Sequence, residues 1–176
     1  VRKFVAEGAR VIVADRDAAN AQRVAQATGS IALAVDVARA EDAKRMVEAA
    51  FEHFGALDIL VNNAGVGHLP QPLESLPEDE FDRIVAVNMK AIYLAAREAV
   101  PRMKAAGGGV ILNMASTAGV SPRPKLAWYN ASKGWVITAT RAMAVELASA
   151  GIRVVALNPV AGETPLLATF MGGDTP

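Results

Sequence analysis

The feature that most constrains this chain is a regular alternation of short β-branched runs with longer amphipathic stretches. The apolar runs have strand length and lack strict polar alternation, as strands covered on both faces do; they span residues 11–14, 31–36, 57–61, 110–114 and 154–158. Helical patterns separate them at residues 17–28, 40–54, 78–106 (one helix or two) and 127–150, after a helix end at residues 1–7. The repeated order predicts an α/β fold, a doubly wound parallel sheet in three layers.

Composition narrows the class of function. Eighteen Lys and Arg balance 18 Asp and Glu, so the net charge of +0 provides no basic field for nucleic acid or an anionic membrane. The lack of cysteine excludes disulfides, thiolate zinc sites and cysteine nucleophiles, and two histidines, His53 and His68, do not suggest a metal site. No apolar run approaches the roughly 20 residues that span a bilayer. We therefore expect a soluble cytoplasmic protein that binds no nucleic acid, membrane or metal.

In such a sheet, ligands bind beyond the carboxyl ends of the strands, so chemistry is expected directly after each apolar run. Asp15 follows the first run. A carboxylate there would accept hydrogen bonds from the ribose hydroxyls of an adenosine and repel a 2′-phosphate, which favours NAD over NADP. It equally suits the N-cap of the helix that begins near Asp17, and the neighbouring Arg16 keeps NADP open.

The next two runs also end in polar residues. Asp36 and Val37 follow the second run, where Asp36 either binds an exocyclic amine such as that of adenine or caps the next helix. The third run ends in Asn62-Asn63-Ala64-Gly65, whose amides can fasten neighbouring loops and whose small residues let a planar ligand approach the backbone. The loop at residues 65–77 is expected beside the ligand crevice, with His68 in solvent.

Ser116 follows the fourth run, and the next helix carries Tyr129 and Lys133. Four residues apart, these two side chains share a helix face, with their Cβ atoms about 5–6 Å apart. A free phenol titrates near pH 10, and a nearby cation lowers that pKa. Tyr129 is therefore a candidate general acid or base, although the same spacing also occurs on ordinary solvated helices.

Taken together, these positions resemble the short-chain dehydrogenase/reductase family. The resemblance rests on Ser116, on Tyr129-Asn130-Ala131-Ser132-Lys133 thirteen positions later, and on two upstream features, Asn62-Asn63-Ala64-Gly65 and Asn88 in Val87-Asn88-Met89. It covers essentially the whole chain. The resemblance implies a Rossmann-type fold and an NAD(P)-dependent oxidoreductase that transfers hydride between a nicotinamide cofactor and a secondary alcohol or ketone.

The resemblance also implies roles for individual residues. Tyr129 would exchange a proton with the substrate oxygen, and Lys133 would hold the nicotinamide ribose hydroxyls and depress the pKa of the tyrosine. Ser116 would hydrogen-bond the carbonyl or alcohol, and Asn88 would keep a water in line for proton relay. Cofactor contacts are expected at ten positions: Asp15, Asp36, Val37, Asn63, Ala64, Gly65, Tyr129, Lys133, Pro159 and Thr164.

The chain departs from the family pattern in several places. The glycine-rich turn that follows the family's first strand is missing, and Pro159-Val160 stands where the family has Pro-Gly. We therefore expect one incomplete dinucleotide-binding oxidoreductase domain over residues 1–176, with the first and last strands absent. Its substrate would be a small alcohol or ketone. Pairing of the helices at residues 78–106 and 127–150 would form a homodimer or homotetramer.

Two further functions fit the same residues. One is an NADPH-dependent 3-oxoacyl-thioester (acyl carrier protein) reductase, which Arg16 and the missing glycine-rich segment leave open. The other is a non-catalytic dinucleotide-binding sensor, against which the complete set Asn88, Ser116, Tyr129 and Lys133 argues. Residues 66–69 and 118–126 are expected to line part of the substrate pocket, but the sequence does not identify the substrate.

Overall fold

Strands and helices alternate along the chain in the computed structural model, which describes residues 1–162 and 165–170. The strands are β1 Ile12–Asp15, β2 Ile31–Ala34, β3 Ile59–Asn62, β4 Gly109–Met114 and β5 Ile152–Leu157. The helices are α1 Arg2–Ala6, α2 Ala18–Thr28, α3 Ala40–Phe54, α4 Glu78–Ile84, α5 Ala91–Ala105, α6 Ala127–Leu147 and α7 Pro165–Phe170. Each predicted apolar run overlaps one strand.

The strands pair in parallel, as predicted for an α/β fold of this class. β1 pairs with β2, and β3, β4 and β5 form a second group with β4 in the middle. No backbone pairing joins the two groups within residues 1–162 and 165–170. The carboxyl ends of β3, β4 and β5 meet at one edge, since Asn62 is level with Asn113, and Met114 with Leu157.

One face of the β3–β5 group carries the main hydrophobic core. Helices α3, α5 and α6 cover it with buried side chains that include Val47, Met103 and Leu147, packed on Ile111 of the central strand. Full burial of one such side chain contributes about 1.5–3 kcal/mol. The opposite face is more open, because four apolar side chains there are 38–51% exposed: Ile59, Val61, Val155 and Leu157.

Local chemistry sets the ends of the helices. Asp17 caps α2, because its side chain accepts hydrogen bonds from the backbone N–H groups of Ala19 and Asn20. Gly29 ends the same helix in the left-handed conformation that glycine adopts at low cost. The six-residue π-helical segment Val85–Lys90 joins α4 to α5. Within the described residues, no helix is long and apolar enough to cross a membrane.

A series of hydrogen bonds between side chains, which forms a hydrogen-bonded chain, connects the strand ends to α6. Asn62 at the end of β3 donates through Nδ2 to Oδ1 of Asn113 on β4, at 2.8 Å. Asn113 in turn donates to Oγ1 of Thr140 on α6, at 2.9 Å, and Thr140 donates to the carbonyl of Val136, at 2.7 Å. The chain fixes the position of α6, the helix that carries Tyr129 and Lys133.

Candidate active site

A cleft with a volume of about 850 Å³ runs along the carboxyl ends of the strands. All but one of the predicted site residues in the described part of the chain line it: Asp15, Asp36, Val37, Asn63, Ala64, Gly65, Ser116, Tyr129, Lys133 and Pro159. The exception is Asn88. Thr164 lies outside the described residues. The fold therefore collects, in one cleft, side chains that are far apart in sequence.

Ser116 and Tyr129 form the polar centre of the cleft. Ser116 ends the segment after β4, and its Oγ accepts a hydrogen bond from the N–H of Ala118 at 3.1 Å, which orients the hydroxyl. Tyr129, in the first turn of α6, is only 5% exposed, and the Ser116 side chain lies near enough to influence the pKa of its phenol. A substrate oxygen placed between the two hydroxyl groups would contact both.

Lys133 lies one turn further along α6 and is 4% exposed. Its Nζ donates to the carbonyl oxygen of Met114 at 2.8 Å and stands 5.9 Å from the centre of the Tyr129 ring. Burial lowers the pKa of Lys133 to about 8, because the apolar surroundings disfavour the charged ammonium. One of its three N–H bonds is used by Met114, which leaves donors for a ligand hydroxyl.

The expectation that the pKa of Tyr129 lies below that of a free phenol is wrong in this structure. Burial of the phenol is the largest influence and raises the pKa of Tyr129, while the hydrogen bond with Ser116 and the positive charge of Arg123 lower it by less. Lys133 makes its hydrogen bond with the backbone of Met114 and not with the phenol. The neutral form of Tyr129 is therefore favoured at neutral pH.

Asn88 sits in the π-helical segment and is 2% exposed. Its Oδ1 accepts from the N–H of Val66 at 2.9 Å, and its Nδ2 donates to the carbonyl of Val66 at 2.9 Å and to Oγ of Ser132 at 3.0 Å. Asn88 thus clamps the loop after β3 against α6. That it also keeps a water in line with Lys133 stays a prediction.

The backbone of this clamped loop lies close to Lys133. A β-carbon built at Gly65 would stand 3.4 Å from Nζ of Lys133 and 3.6 Å from Oδ1 of Asn88. The segment after β4 approaches α6 even more closely, because a β-carbon at Gly119 would stand 2.6 Å from the carbonyl carbon of Lys133. Real Cβ contacts are not this short, so position 119 requires glycine.

The acidic side chains stand at the other end of the cleft. Asp15 accepts from the N–H of Asp17 at 3.0 Å and from Nδ2 of Asn20 at 2.6 Å, so it orders the turn before α2 but leaves the N-cap to Asp17. Asp36 accepts from the N–H of Ala38 at 3.0 Å. Both carboxylates keep lone pairs for hydroxyl or amine groups of a ligand, beside their structural bonds.

The cleft also contains residues that were not predicted. Arg83 lines it, as do three apolar side chains of α7: Leu166, Leu167 and Phe170. The ring of Phe170 stands 4.7 Å from that of Tyr129, centre to centre. Arg123, which also lines the cleft, lies in the stretch 118–126 that the sequence predicts to line part of the substrate pocket.

The expectation of a solvated His68 is wrong. This side chain is 2% exposed, and its Nδ1 lies 2.8 Å from the carbonyl of Leu69. His68 is not among the described residues that line the cleft. Its burial follows from the folding of the loop after β3 into the protein, which a local run of polar and proline residues does not reveal.

Comparisons with known proteins agree with this geometry. A family model described as short chain dehydrogenase matches residues 1–172. The 4-formylbenzenesulfonate dehydrogenase of Comamonas testosteroni is 46% identical over 181 residues, which cover 99% of this chain and 72% of that protein.

Two solved structures are also similar. The 3-ketoacyl-(acyl-carrier-protein) reductase from Brucella melitensis, complexed with NADH, is 55% identical with a TM-score of 0.95, over 97% of this chain and 73% of that one. A gluconate 5-dehydrogenase from Burkholderia cenocepacia J2315, in complex with NADP and tartrate, is 30% identical with a TM-score of 0.84, over 94% of this chain and 66% of that one.

The contact between α7 and the loop after β3 generates a prediction about Gly67. A β-carbon there would stand 2.5 Å from Cε1 of Phe170, so Gly67→Ala must displace this ring from Tyr129. We expect a loss of about 1–3 kcal/mol in the free energy of unfolding, measured by urea titration. In a Phe170→Ala background the same substitution should cost much less, because the clashing ring is gone.

Gly134→Ala is the matched control, because a β-carbon at this helical position would meet only an ordinary contact of 3.6 Å. We expect it to leave stability equal or higher by up to about 1 kcal/mol. Equal costs of Gly67→Ala in the two backgrounds would contradict the proposed contact between Gly67 and Phe170.

Proposed function

This chain belongs to the short-chain dehydrogenase family and is an NAD(P)-dependent oxidoreductase, and from that premise we propose that Tyr129, Ser116 and Lys133 carry its reaction. The proposed reaction is the interconversion of a secondary alcohol and a ketone. The nicotinamide cofactor, when bound, supplies or accepts the hydride. The chain itself orients the substrate oxygen, provides the proton and keeps water out.

The single observation that carries this proposal is that the side chains of Ser116, Tyr129 and Lys133 line one cleft together, with Tyr129 and Lys133 buried. In the reduction direction, the phenol of Tyr129 donates its proton to the substrate oxygen while Ser116 hydrogen-bonds the same oxygen. The raised pKa of Tyr129 keeps this proton on the phenol at neutral pH. The positive charge of Lys133 then stabilises the phenolate that remains.

The described residues fit a dinucleotide at both ends of the cleft. At one end, Lys133 has unused N–H donors in a buried position, which suit ribose hydroxyls. At the other end, Asp15 and Asp36 offer carboxylate oxygens to a second ribose and to an exocyclic amine. The cofactor contacts between the two ends stay predictions from the sequence, and the residues expected to make them are Val37, Asn63, Ala64, Gly65, Pro159 and Thr164.

We further propose that NAD is the preferred cofactor. The carboxylate of Asp15 lines the cleft and would repel the 2′-phosphate that distinguishes NADP. Arg16 lines the cleft beside it and is the group that could instead attract that phosphate. The similar structures contain either cofactor, NADH in one and NADP in another, so the proposal depends on the balance between Asp15 and Arg16.

A second candidate is the reduction of 3-oxoacyl thioesters with NADPH. It is favoured by the 55% identity and the TM-score of 0.95 to the 3-ketoacyl-(acyl-carrier-protein) reductase of Brucella melitensis. Both candidates use the same proton donor and the same hydride transfer, and they differ in the group attached to the carbonyl and in the preferred cofactor.

Other parts of the proposal concern the whole protein. We propose a homodimer or homotetramer formed through α5 and α6. Two large apolar side chains of α6, Trp135 and Val145, support this proposal, because they are 37% and 84% exposed and could be covered by a second subunit. Light scattering of the intact protein that gives a monomer would contradict it. A single dinucleotide-binding domain over residues 1–176 and a cytoplasmic location stay predictions from the sequence.

Replacement of Tyr129 tests the proposed reaction directly. We expect Tyr129→Phe to lower kcat for ketone reduction by about 10²–10⁴-fold, because the proton donor is lost. The Kd for NADH, measured by fluorescence titration, should change little. The matched control is Tyr93→Phe, which removes the other tyrosine hydroxyl at a position on α5 that does not line the cleft. Equal kcat values for wild type and Tyr129→Phe would refute the role of this phenol.

The lowered pKa of Lys133 predicts a pH dependence. Below a pKa of about 8 the amine is charged, and above it the charge that stabilises the phenolate of Tyr129 is lost. We therefore expect kcat/KM for ketone reduction to be level at neutral pH and to fall as the pH rises through about 8. The fall should be absent from the residual activity of Lys133→Met. A wild-type profile that stays level up to about pH 10 would contradict this assignment.

The role of Asp15 is tested by cofactor preference. We expect the ratio of kcat/KM for NADH to that for NADPH to exceed one, and Asp15→Asn to lower it by about tenfold, because the repelling charge is removed. Asp17→Asn, the same change two residues away at an exposed cap that does not line the cleft, is the control. A strong NADPH preference of the wild type would overturn the role of Asp15 and favour the thioester reductase.

A further inference from the structure

We propose that Arg123 is a specificity residue that binds an anionic group on the substrate, so that the enzyme prefers ketones and secondary alcohols whose apolar body carries a carboxylate or sulfonate. This inference rests on the proposed oxidoreductase function and goes beyond it by naming the substrate class. Three observations support it: the charges that line the cleft, its apolar walls, and the fixed backbone position of Arg123.

The charges of the cleft are divided between its two ends. The carboxylates that line it within the described residues are Asp15, Asp36 and Asp42, which come from the end of β1, the segment after β2 and the start of α3. No described carboxylate lines the part around Tyr129, where Arg83, Arg123 and Lys133 provide cations. An anionic substrate group near Tyr129 therefore meets attraction without a repelling partner.

The walls of this part of the cleft are apolar. The ring of Phe170 lies tilted by 54° against that of Tyr129, at 4.7 Å between centres. Further apolar side chains line the same region: Val66, Leu126, Val160, Leu166 and Leu167. Such walls suit a flat or compact hydrocarbon body, and they offer its polar substituents few partners apart from the catalytic hydroxyls and the arginines.

Arg123 is held in place by its backbone. It stands between Pro122 and Pro124, whose rings restrict the local chain. Its carbonyl accepts a hydrogen bond of 2.7 Å from Nδ2 of Asn130, the residue that follows Tyr129 on α6. The carbonyl of Lys125, two residues later, accepts from the N–H of Gln71 at 3.0 Å, which ties this loop to the one after β3. These bonds fix the backbone of Arg123 relative to the catalytic phenol, and its exposed side chain extends from there into the lining of the cleft.

The guanidinium of Arg123 is available for a ligand. No carboxylate in the described part of the chain forms an ion pair with it. It lies near enough to Tyr129 for its positive charge to lower the pKa of the phenol, although burial has the larger, opposite effect. Arg83 differs, because its Nη2 donates to the carbonyl of Gly67 at 3.0 Å and so serves the loop.

A matched pair of ketones tests the inference in the intact protein with NADH. Acetophenone is neutral, and 4-acetylbenzoate adds one carboxylate to the same ring. We expect wild type to show a kcat/KM about tenfold higher for 4-acetylbenzoate, as a charge-assisted hydrogen bond to arginine provides. Arg123→Gln should lose at least most of this preference, Arg123→Lys should keep part of it, and added salt should weaken it.

Lys125→Gln is the control, because Lys125 is exposed, carries the same charge in the same loop and is not among the described residues that line the cleft. It should keep the preference of the wild type. Equal kcat/KM values of wild type for the two ketones, or an equal fall for both in Arg123→Gln, would overturn the inference and leave the oxidoreductase function standing.

If the proposed oxidoreductase function is wrong, the experiment gives a different result from the one that overturns the role of Arg123. In that case neither ketone is reduced by wild type or by Tyr129→Phe, and turnover gives no information on Arg123. Isothermal titration of the two ketones into the protein in the presence of NAD then decides. Binding of 4-acetylbenzoate that is stronger than that of acetophenone, and that loses this difference in Arg123→Gln, supports the role of Arg123, whereas equal binding overturns it.

Discussion

The hydrogen-bonded chain from Asn62 through Asn113 to Thr140 is the interaction on which the rest of the site depends. It joins β3, β4 and α6, and the polar groups of Asn113 and Thr140 are shielded from water, because Asn113 is fully buried and Thr140 is 5% exposed. A buried polar group left unpaired costs about 1–3 kcal/mol. Rotation or sliding of α6 would break this chain, so Tyr129 and Lys133 keep their positions at the strand ends.

Burial controls the chemistry of the two reactive side chains in opposite senses. It raises the pKa of the Tyr129 phenol and lowers that of the Lys133 amine to about 8, because both charged forms lose solvation. Near neutral pH the phenol therefore holds a proton that it can deliver, and the amine is still charged. The site is prepared for proton donation without a strongly acidic tyrosine.

Much of the fold could be predicted from the sequence, since β-branched runs mark the strands and the spacing of Tyr129 and Lys133 puts them on one helix face. The sense of the pKa change could not be predicted, because spacing along a helix says nothing about burial by other elements. The same limit applies to Asn88, whose partner Val66 is 22 residues away, and to His68, which a loop sequence does not show to be buried. The positions of Arg83 and Phe170 at the cleft could not be predicted either, because they depend on how α4 and α7 pack in the folded protein.

Gly119 lies close to the backbone of α6, and this contact distinguishes the part of the site that is held by backbone from the part that is held by side chains. At this position the segment after β4 touches Lys133 backbone to backbone, so the spacing between Ser116 and Lys133 does not depend on any side chain that a mutation could shorten or enlarge. Phe170, by contrast, meets its neighbours through its side chain. Substitutions in α7 and at residues 122–125 can therefore reshape the substrate pocket while the backbone contact between Gly119 and Lys133 is retained.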